Sequence, residues 1–473
     1  MEAARKLKNP NRAWIRPLIE QGGARYQQIV RQIATAVDDL VLRPGDRLPP
    51  QRELATALGV DLTTVTRAYS ELRALGLLEA QGAGGSYIKR KALGQDMTVD
   101  LGMNIPPLLD SPFFAQLMKA GIAHAQERMA SGDLMGYHVG AGALVDRQAA
   151  AAWLQPMLGA VDPGRIVVCP GAQSALAALL LTCSRPGDGV LTEGLTYPGL
   201  LAAAQALDRP VLAVAADAEG MSPDALEDAC ARGGARVLYL NPTIHNPTTR
   251  TLSAERRAAL HAVASRHGLA IIEDDPYWRI AGDAPAPLAA LSGQSSAKHG
   301  APVHYISTLS KCLAPGLRTA FIAMPHGAAI TPVLDALRSI SLMPASWMTA
   351  VATHAIETGM AHDMVKLVRH ELAQRQRLAG RLLPPGVQCH PHGLHLWLEL
   401  SPLADPYRLI QIAQQRGVGV ADADAFRADE SVHKALRISL GGAMSQEQLR
   451  VALEKLSAIL QEEHRPARAT GIV

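Results

Sequence analysis

Residues 303–325, VHYISTLSKCLAPGLRTAFIAMP, hold two short β-branched apolar runs on either side of a polar loop. The runs VHYIST and AFIAMP read as buried strands, because such residues bounded by turn formers pack against both faces of a sheet. In the loop between them, Lys311 is flanked by Thr308 and Ser310, and Arg318 follows seven positions on. Hydroxyls and a permanent cation beside one lysine make a phosphate-sized set of donors. The same cation lowers the amine's pKa and makes it a usable nucleophile.

Moving outward, the runs RIVVCP, GVLTE, PVLAVAAD, RVLYLNP and AIIEDD repeat this pattern and alternate with Ala/Leu/Arg-rich helical stretches. That alternation predicts an α/β fold with a largely parallel sheet, whose ligands lie beyond the carboxyl ends of the strands. Two further strand ends carry suitable chemistry. In VVCPGAQSALAALLL (167–181), a glycine turn opens a helix, so the N–H groups of Gly171, Ala172 and Gln173 can hold a phosphate. In LYLNPTIHNPTTR (238–250) and AIIEDDPYW (270–278), Asp274 ends a strand with Tyr277 three residues on, and Asn246 can add a donor. An acid and a tyrosine so spaced can touch two edges of one flat ligand. Asp275 reads as a surface loop residue.

The first ninety residues differ in kind. Tyr26, Ile29, Val30, Ile33, Val37 and Leu40 recur at helical spacing until the turn Arg43-Pro44-Gly45-Asp46. A second helix follows Pro49-Pro50, turns Leu54 and Leu58 inward and stops at Gly59. A third, LTTVTRAYSELRALG, sets Val65, Tyr69, Leu72 and Leu75 on one face and Thr63, Thr64, Arg67 and Ser70 on another. Hydroxyls and a guanidinium without a carboxylate suit a DNA groove. LLEAQGAGGSYIKRK then predicts two β-runs around a glycine tip with a basic edge, a winged helix-turn-helix.

Charge follows this division. Residues 1–92 hold fifteen Lys and Arg against nine Asp and Glu, a net +6, which leaves −3 for the rest of a chain whose total is +3. Positive charge confined to one part is the footprint of polyanion binding. At 473 residues the chain exceeds one ordinary core. The expected division is an extension over 1–24, the DNA-binding domain over 25–91, a linker over 92–99 and the body over 100–465. No apolar run is long enough to span a bilayer, and the N-terminus has no apolar core of a secretory signal, so a cytoplasmic location without membrane contact is expected. The five cysteines, Cys169, Cys183, Cys230, Cys312 and Cys389, form no CxxC pair and read as reduced thiols. In CHPHGLHLWLEL (389–400) the histidines could ligate zinc. The alternation of Leu394, Leu396 and Leu398 reads more simply as a strand, and no metal is expected.

Two resemblances rest on these residues. The stretch LRPGDRLPPQRELATALGVDLTTVTRAYSELRALGLLEAQGAGGSYI (42–88) resembles the DNA-binding domain of the GntR family of bacterial regulators. It implies that Arg52, Thr63, Thr64 and Arg67, the wing tip at Gly84 and the basic edge at Lys89 approach double-stranded operator DNA. Residues 100–460 resemble the class I aminotransferases of fold type I, with a large mostly parallel sheet and a smaller C-terminal α+β subdomain.

That second likeness implies pyridoxal 5′-phosphate as cofactor. Lys311 matches the lysine that forms the internal imine, Asp274 the partner of the pyridine nitrogen, and Asn246 with Tyr277 the pair on the 3′-oxygen. Tyr197, in EGLTYPG, fits the aromatic that stacks on the ring. Ala172, Gln173, Thr308, Ser310 and Arg318 match the phosphate cradle. Tyr137, in MGYHVGAG, resembles a tyrosine that reaches the phosphate from the partner subunit. Arg437, in ALRISLGG, matches the arginine that grips a substrate α-carboxylate beside Asn246. NPTT stands where the family usually has NPTG.

The combination resembles the MocR subfamily of transcription regulators. This implies a homodimer that senses an amino compound by aldimine exchange at Lys311 and relays the change to its DNA-binding heads. A working aminotransferase with a head of secondary importance is the alternative, and a body kept only for dimerisation is a third.

Overall fold

The computed structural model describes residues 14–18, 24–38, 41–42, 46–74, 77–80, 85–88, 99–130, 132, 134–292 and 300–463. They form two compact units, residues 1–97 and 98–473.

In the first unit, α1 (Arg25–Asp38), α2 (Gln51–Leu58) and α3 (Leu62–Ala74) pack around Ile29, Ile33, Leu54, Val65, Tyr69 and Leu72, the apolar faces that the periodicity marks. Tyr69 is wholly buried and its hydroxyl donates to Pro49 O at 2.8 Å, which supplies the partner a buried phenol requires. Gly59 ends α2 at φ 63°, and its N–H returns to Ala55 O and Thr56 O. A glycine takes this left-handed conformation without strain, so the turn into α3 is tight. The wing strands β1 (Leu78–Ala80) and β2 (Ser86–Ile88) pair antiparallel. Residues 46–48 extend this pair, as Ile88 N donates to Asp46 O and Leu48 N to Ser86 O.

The second unit opens with β3 (Val99–Asp100), so Val99 belongs to the body and not, as its sequence suggests, to the linker. Helices α4 (Pro112–Ala130), α5 (Leu144–Leu158) and α6 (Ala172–Cys183) follow in the chain with strands between and after them. The large sheet is built from β4 (Ile166–Cys169), β5 (Gly189–Glu193) and β6 (Val211–Val214), then, beyond the small hairpin β7 (Ala216–Asp217) and β8 (Gly220–Met221), from β9 (Ala235–Leu240), β10 (Ala270–Asp274), β11 (Val303–Thr308) and β12 (Ala320–Ala323). Its order is β4-β12-β11-β10-β9-β5-β6, and only β12 runs antiparallel. Most of these strands are buried along their length, which explains their continuous apolar character.

A smaller sheet of order β13-β14-β17-β16 uses β13 (Gln388–Cys389), β14 (His395–Glu399), β16 (Ala421–Asp422) and β17 (Ala435–Ser439). β15 (Val418–Gly419) pairs in parallel with β3. The long helix Met360–Leu382 spans both cores, with Met364, Val368 and Leu372 on the first and Ala379 on the second. No described helix is long and apolar enough to cross a membrane.

Register decides where the site falls. β10 and β11 pair with Asp274 beside Ile306, so Asp274 and the loop carrying Lys311 leave the same edge of the sheet. β9 lies on the other side of β10 and brings Tyr239 and Asn241 to that edge.

Candidate functional site

A cavity of about 530 Å³ opens at this edge. It is lined by Lys311, Asp274, Tyr277, Asn246, Tyr197, Ala172, Gln173, Thr308, Ser310, Arg318 and Arg437. Eleven of the twelve residues expected at a ligand site of the body therefore meet in one place. The twelfth, Tyr137, does not line it and is 81% exposed.

Lys311 follows β11 in a short 3₁₀ turn capped by Thr308, whose hydroxyl accepts from Ser310 N. Its Nζ donates to Asn104 O at 2.6 Å. Burial, then the charge of Arg437, lowers its pKa to about 8. Arg318, which the sequence points to as the cause, contributes less. An amine in this range is a usable nucleophile near neutrality.

Asp274 ends β10, and its Oδ2 accepts from Tyr239 Oη at 2.9 Å. Its Oδ1 is buried without a partner, and burial pushes the group up to about 7. Asp275 is not the surface residue that its position after the strand suggests. It is 2% exposed, and its Oδ2 accepts from Thr243 Oγ1. Arg257, wholly buried, lies beside both Thr243 and Glu273 and partly offsets the burial of Glu273 and Asp275, as Lys311 does for Asp274.

Asn246 Oδ1 accepts from Arg437 Nη1 at 2.9 Å, and the Asn246 N–H donates to Asn241 Oδ1. Arg437 Nη2 donates to Gly102 O, and the guanidinium lies 4.8 Å from the centre of the Phe426 ring. Burial lowers its pKa from the ordinary value, and its Nε has no partner. Tyr197 donates through its hydroxyl to Gln173 Oε1 at 3.1 Å, and Gln173 Nε2 in turn donates to Gly199 O. The Gln173 side chain thus orients Tyr197, leaving its backbone N–H at the start of α6 for an anion. Gly171 has φ 90°, and a Cβ there would collide with the Arg318 guanidinium, so glycine lets that cation reach the helix N-terminus.

Sequence reading missed four contributors. Tyr239 and Asn241 lie two residues apart on RVLYLNP, and the period of a strand could have placed both at the edge. Phe426 ends a one-turn 3₁₀ helix (Ala423–Phe426) and Asn104 lies in a loop, both too short for periodicity to mark them. Asn104 Nδ2 lies 3.2 Å from Tyr277 Oη and 3.0 Å from His395 Nδ1. That histidine, weighed as a zinc ligand in the sequence, is buried in β14, and among the described residues no cluster could hold a metal ion.

In the first unit Arg52, Thr63 and Arg67 are exposed, whereas Thr64 is half-buried. Arg67 lies 4.0 Å over the Tyr26 ring and donates to its hydroxyl. Gly84 and Lys89 lie outside the described residues.

The cavity suits pyridoxal phosphate on its own chemistry. A buried carboxylate oxygen without a partner matches a ring N–H, a depressed lysine amine matches an aldehyde, and a helix N-terminus with hydroxyls and Arg318 matches a phosphate. Comparison with known proteins agrees. Residues 96–456 match the family model for aminotransferases of class I and II, a pyridoxal-phosphate-dependent fold, and residues 25–88 match that for bacterial regulatory proteins of the gntR family. The chain is 27% identical over 450 residues to the uncharacterized HTH-type transcriptional regulator YdeF of Bacillus subtilis, covering 92% of this chain and 94% of that one. It is 28% identical over 425 residues to the vitamin B6 salvage pathway transcriptional repressor PtsJ of Salmonella typhimurium, covering 84% and 90%. Among solved structures, kynurenine aminotransferase of Pyrococcus horikoshii, in complex with PMP, superposes with a TM-score of 0.69 at 23% identity, over 78% of this chain and 92% of that one. The chain belongs to the class I and II aminotransferase family and carries a gntR-type helix-turn-helix domain ahead of it.

Proposed function

We propose that this protein is a transcription regulator that binds operator DNA through its head and responds to an amino compound bearing a carboxylate, taken up where pyridoxal phosphate is held by Lys311. The observation that carries this reading is the meeting of Lys311, the partnerless oxygen of Asp274 and Arg437 in one cavity, on a chain that also holds a gntR-type domain. The two relatives named above are described as transcriptional regulators, which favours regulation over turnover.

Bound there, the cofactor supplies an electrophilic carbon that exchanges primary amines and a ring that withdraws electrons. The protein's own groups do the rest. Burial holds the Lys311 amine near neutrality. Asp274, whose Oδ2 accepts from Tyr239, would hold the ring nitrogen's proton through its free Oδ1. Ala172, Gln173, Thr308, Ser310 and Arg318 would anchor the phosphate. Arg437 offers a planar pair of donors to a carboxylate, which competes with Asn246 Oδ1 and Gly102 O for them. Gly102 follows β3 at the start of the body, so a ligand that displaces its carbonyl from Arg437 favours one arrangement of residues 99–104 over another. Such differential affinity is what a switch requires.

A second copy of the chain completes the site in this reading. Tyr137 is exposed together with Met135, Val139 and Leu144, an apolar surface suited to a partner subunit into whose site Tyr137 reaches. Two heads per dimer then read paired half-sites.

The test combines absorbance and DNA binding. Wild-type protein supplied with pyridoxal phosphate should acquire a visible band. The effective amino compound should change both the band and the affinity for DNA upstream of neighbouring genes, by at least about tenfold at fixed salt. Lys311→Ala should show no band and no response. Sustained transamination of a 2-oxo acid without sequence-specific DNA binding would sink the proposal and favour an enzyme.

A further inference from the structure

The Asn104 amide and the His395 ring form a short chain of hydrogen bonds that ends on Tyr277, and its direction can be worked out from one fixed end. His395 Nε2 lies 3.2 Å from the carbonyl oxygen of His245, which can only accept, so Nε2 carries the hydrogen. The ring is completely buried, with burial and Arg437 lowering its pKa to about 3, so it is neutral and Nδ1 presents a lone pair. Asn104 must therefore turn an N–H toward Nδ1, at 3.0 Å. The opposite orientation of the amide would set two acceptors face to face. With the nitrogen side of Asn104 thus fixed, its second N–H points at Tyr277 Oη, 3.2 Å away, and that hydroxyl accepts it. The amide oxygen is left buried without a partner, so the orientation is held by its nitrogen alone. The Tyr277 hydroxyl then has its own proton to place, and the residue lines the cavity.

We propose that Asn104 and His395 are positioning residues that direct the Tyr277 proton into the cavity, making Tyr277 a donor to the oxygen substituent on the ring of the bound cofactor. The proposal rests on the cofactor reading above and goes beyond it in assigning both residues a task. Asn104 also accepts from Lys311 through its carbonyl, so a single residue touches the amine and orders the phenol. The charged and titratable groups around Tyr277 are Arg437, Tyr197, Asp274, Asp275, whose carboxylate accepts from the Tyr277 N–H, and His395, whose ring packs against it; of these only His395 is changed in the variants below.

The test is the pH titration of the visible absorbance of the full-length protein loaded with pyridoxal phosphate. A donor to an anionic oxygen favours the deprotonated form, so Tyr277→Phe should raise the midpoint. Asn104→Ala should raise it too, by roughly half to one pH unit, since the phenol loses its fixed direction. His395→Leu should do the same. His395→Gln, which can still donate to the His245 carbonyl and accept from Asn104, should restore a value near wild type. Placed on Tyr277→Phe, Asn104→Ala should add nothing. An equal shift in both backgrounds, or no shift in either single variant, would overturn the proposal. Should Asn104→Ala fail to fold, His395→Leu carries the same expectation against Tyr277→Phe. A wild-type protein that takes up no cofactor would remove the underlying reading as well, whereas a loaded protein with an indifferent midpoint would remove only this inference.

Discussion

Arg67 in the first unit and Arg437 in the second both rest on an aromatic ring, and they are otherwise opposites. Arg67, on α3, lies 4.0 Å over Tyr26 and is exposed. Arg437, on β17, lies 4.8 Å from Phe426, is 6% exposed and shares its donors with Asn246 and Gly102. In each case the ring holds a cation by its face and leaves the planar edge of the guanidinium for an anion. Solvent separates their uses. An exposed cation works in high dielectric, where salt screens it within about 10 Å at 0.1 M, so it suits one of many weak contacts along a polyanion. A buried one interacts far more strongly with a single anion, and its unpaired state is costly, so it suits a small ligand of defined shape.

The largest effect should come from the buried member. Arg437→Ala is expected to weaken binding of a carboxylate-bearing amino compound at least about 100-fold, in line with the 2–5 kcal/mol typical of a severed buried charge pair. The loss, read by titrating the cofactor absorbance, should hardly vary with salt; a strong salt dependence would place Arg437 effectively in solvent and break the contrast.

The buried carboxylate lining the same cavity gives the next effect. Asp274 in the folded protein titrates near 7, above its ordinary value of 3.8, because burial disfavours the anion. A raised carboxyl pKa contributes stability that is present below the unfolded value and is lost as pH rises through the folded one. Cofactor-free protein should therefore lose stability between about pH 4 and 7, and Asp274→Asn should remove on the order of 4 kcal/mol of that loss. Thermal unfolding followed by tryptophan fluorescence reads this, because four of the five tryptophans, Trp153, Trp278, Trp347 and Trp397, lie in the body. An unchanged slope in the variant would show that Asp274 is already ionised in the empty site.

The exposed arginine should give the smallest effect. Arg67→Ala is expected to reduce operator affinity about five- to tenfold and to lower the salt slope by about one. Electrophoretic or anisotropy titrations at several salt concentrations measure both. A loss confined to one operator position with an unaltered slope would instead sharpen the comparison, making Arg67 a base reader.

Much of this contrast is legible in the chain itself. Lys311 between hydroxyl residues, Asp274 three positions before Tyr277 and the glycine turn before Ala172 are short-range patterns, and each rests on geometry fixed within one strand end. The helical periods of the head are equally local, and Ile29, Ile33, Val65, Tyr69 and Leu72 fall where those periods place them. Asp275 went unread because burial of a residue just past a strand depends on Thr243 and Arg257, some twenty to thirty residues away. Asn104 and His395 meet across 291 residues, and no local rule links them.

The sequence by itself determined the two-part plan, the α/β class, the chemistry of the lysine loop and the confinement of positive charge to the head, because side-chain period, turn residues and charge are written position by position. Only the tertiary structure decided which acid with a partnerless oxygen lines the cavity, which arginine is desolvated, and that Asn104 joins the amine to the phenol. Those properties depend on what surrounds a group in space, and dielectric, unpaired atoms and hydrogen-bond direction exist only once distant strands have packed.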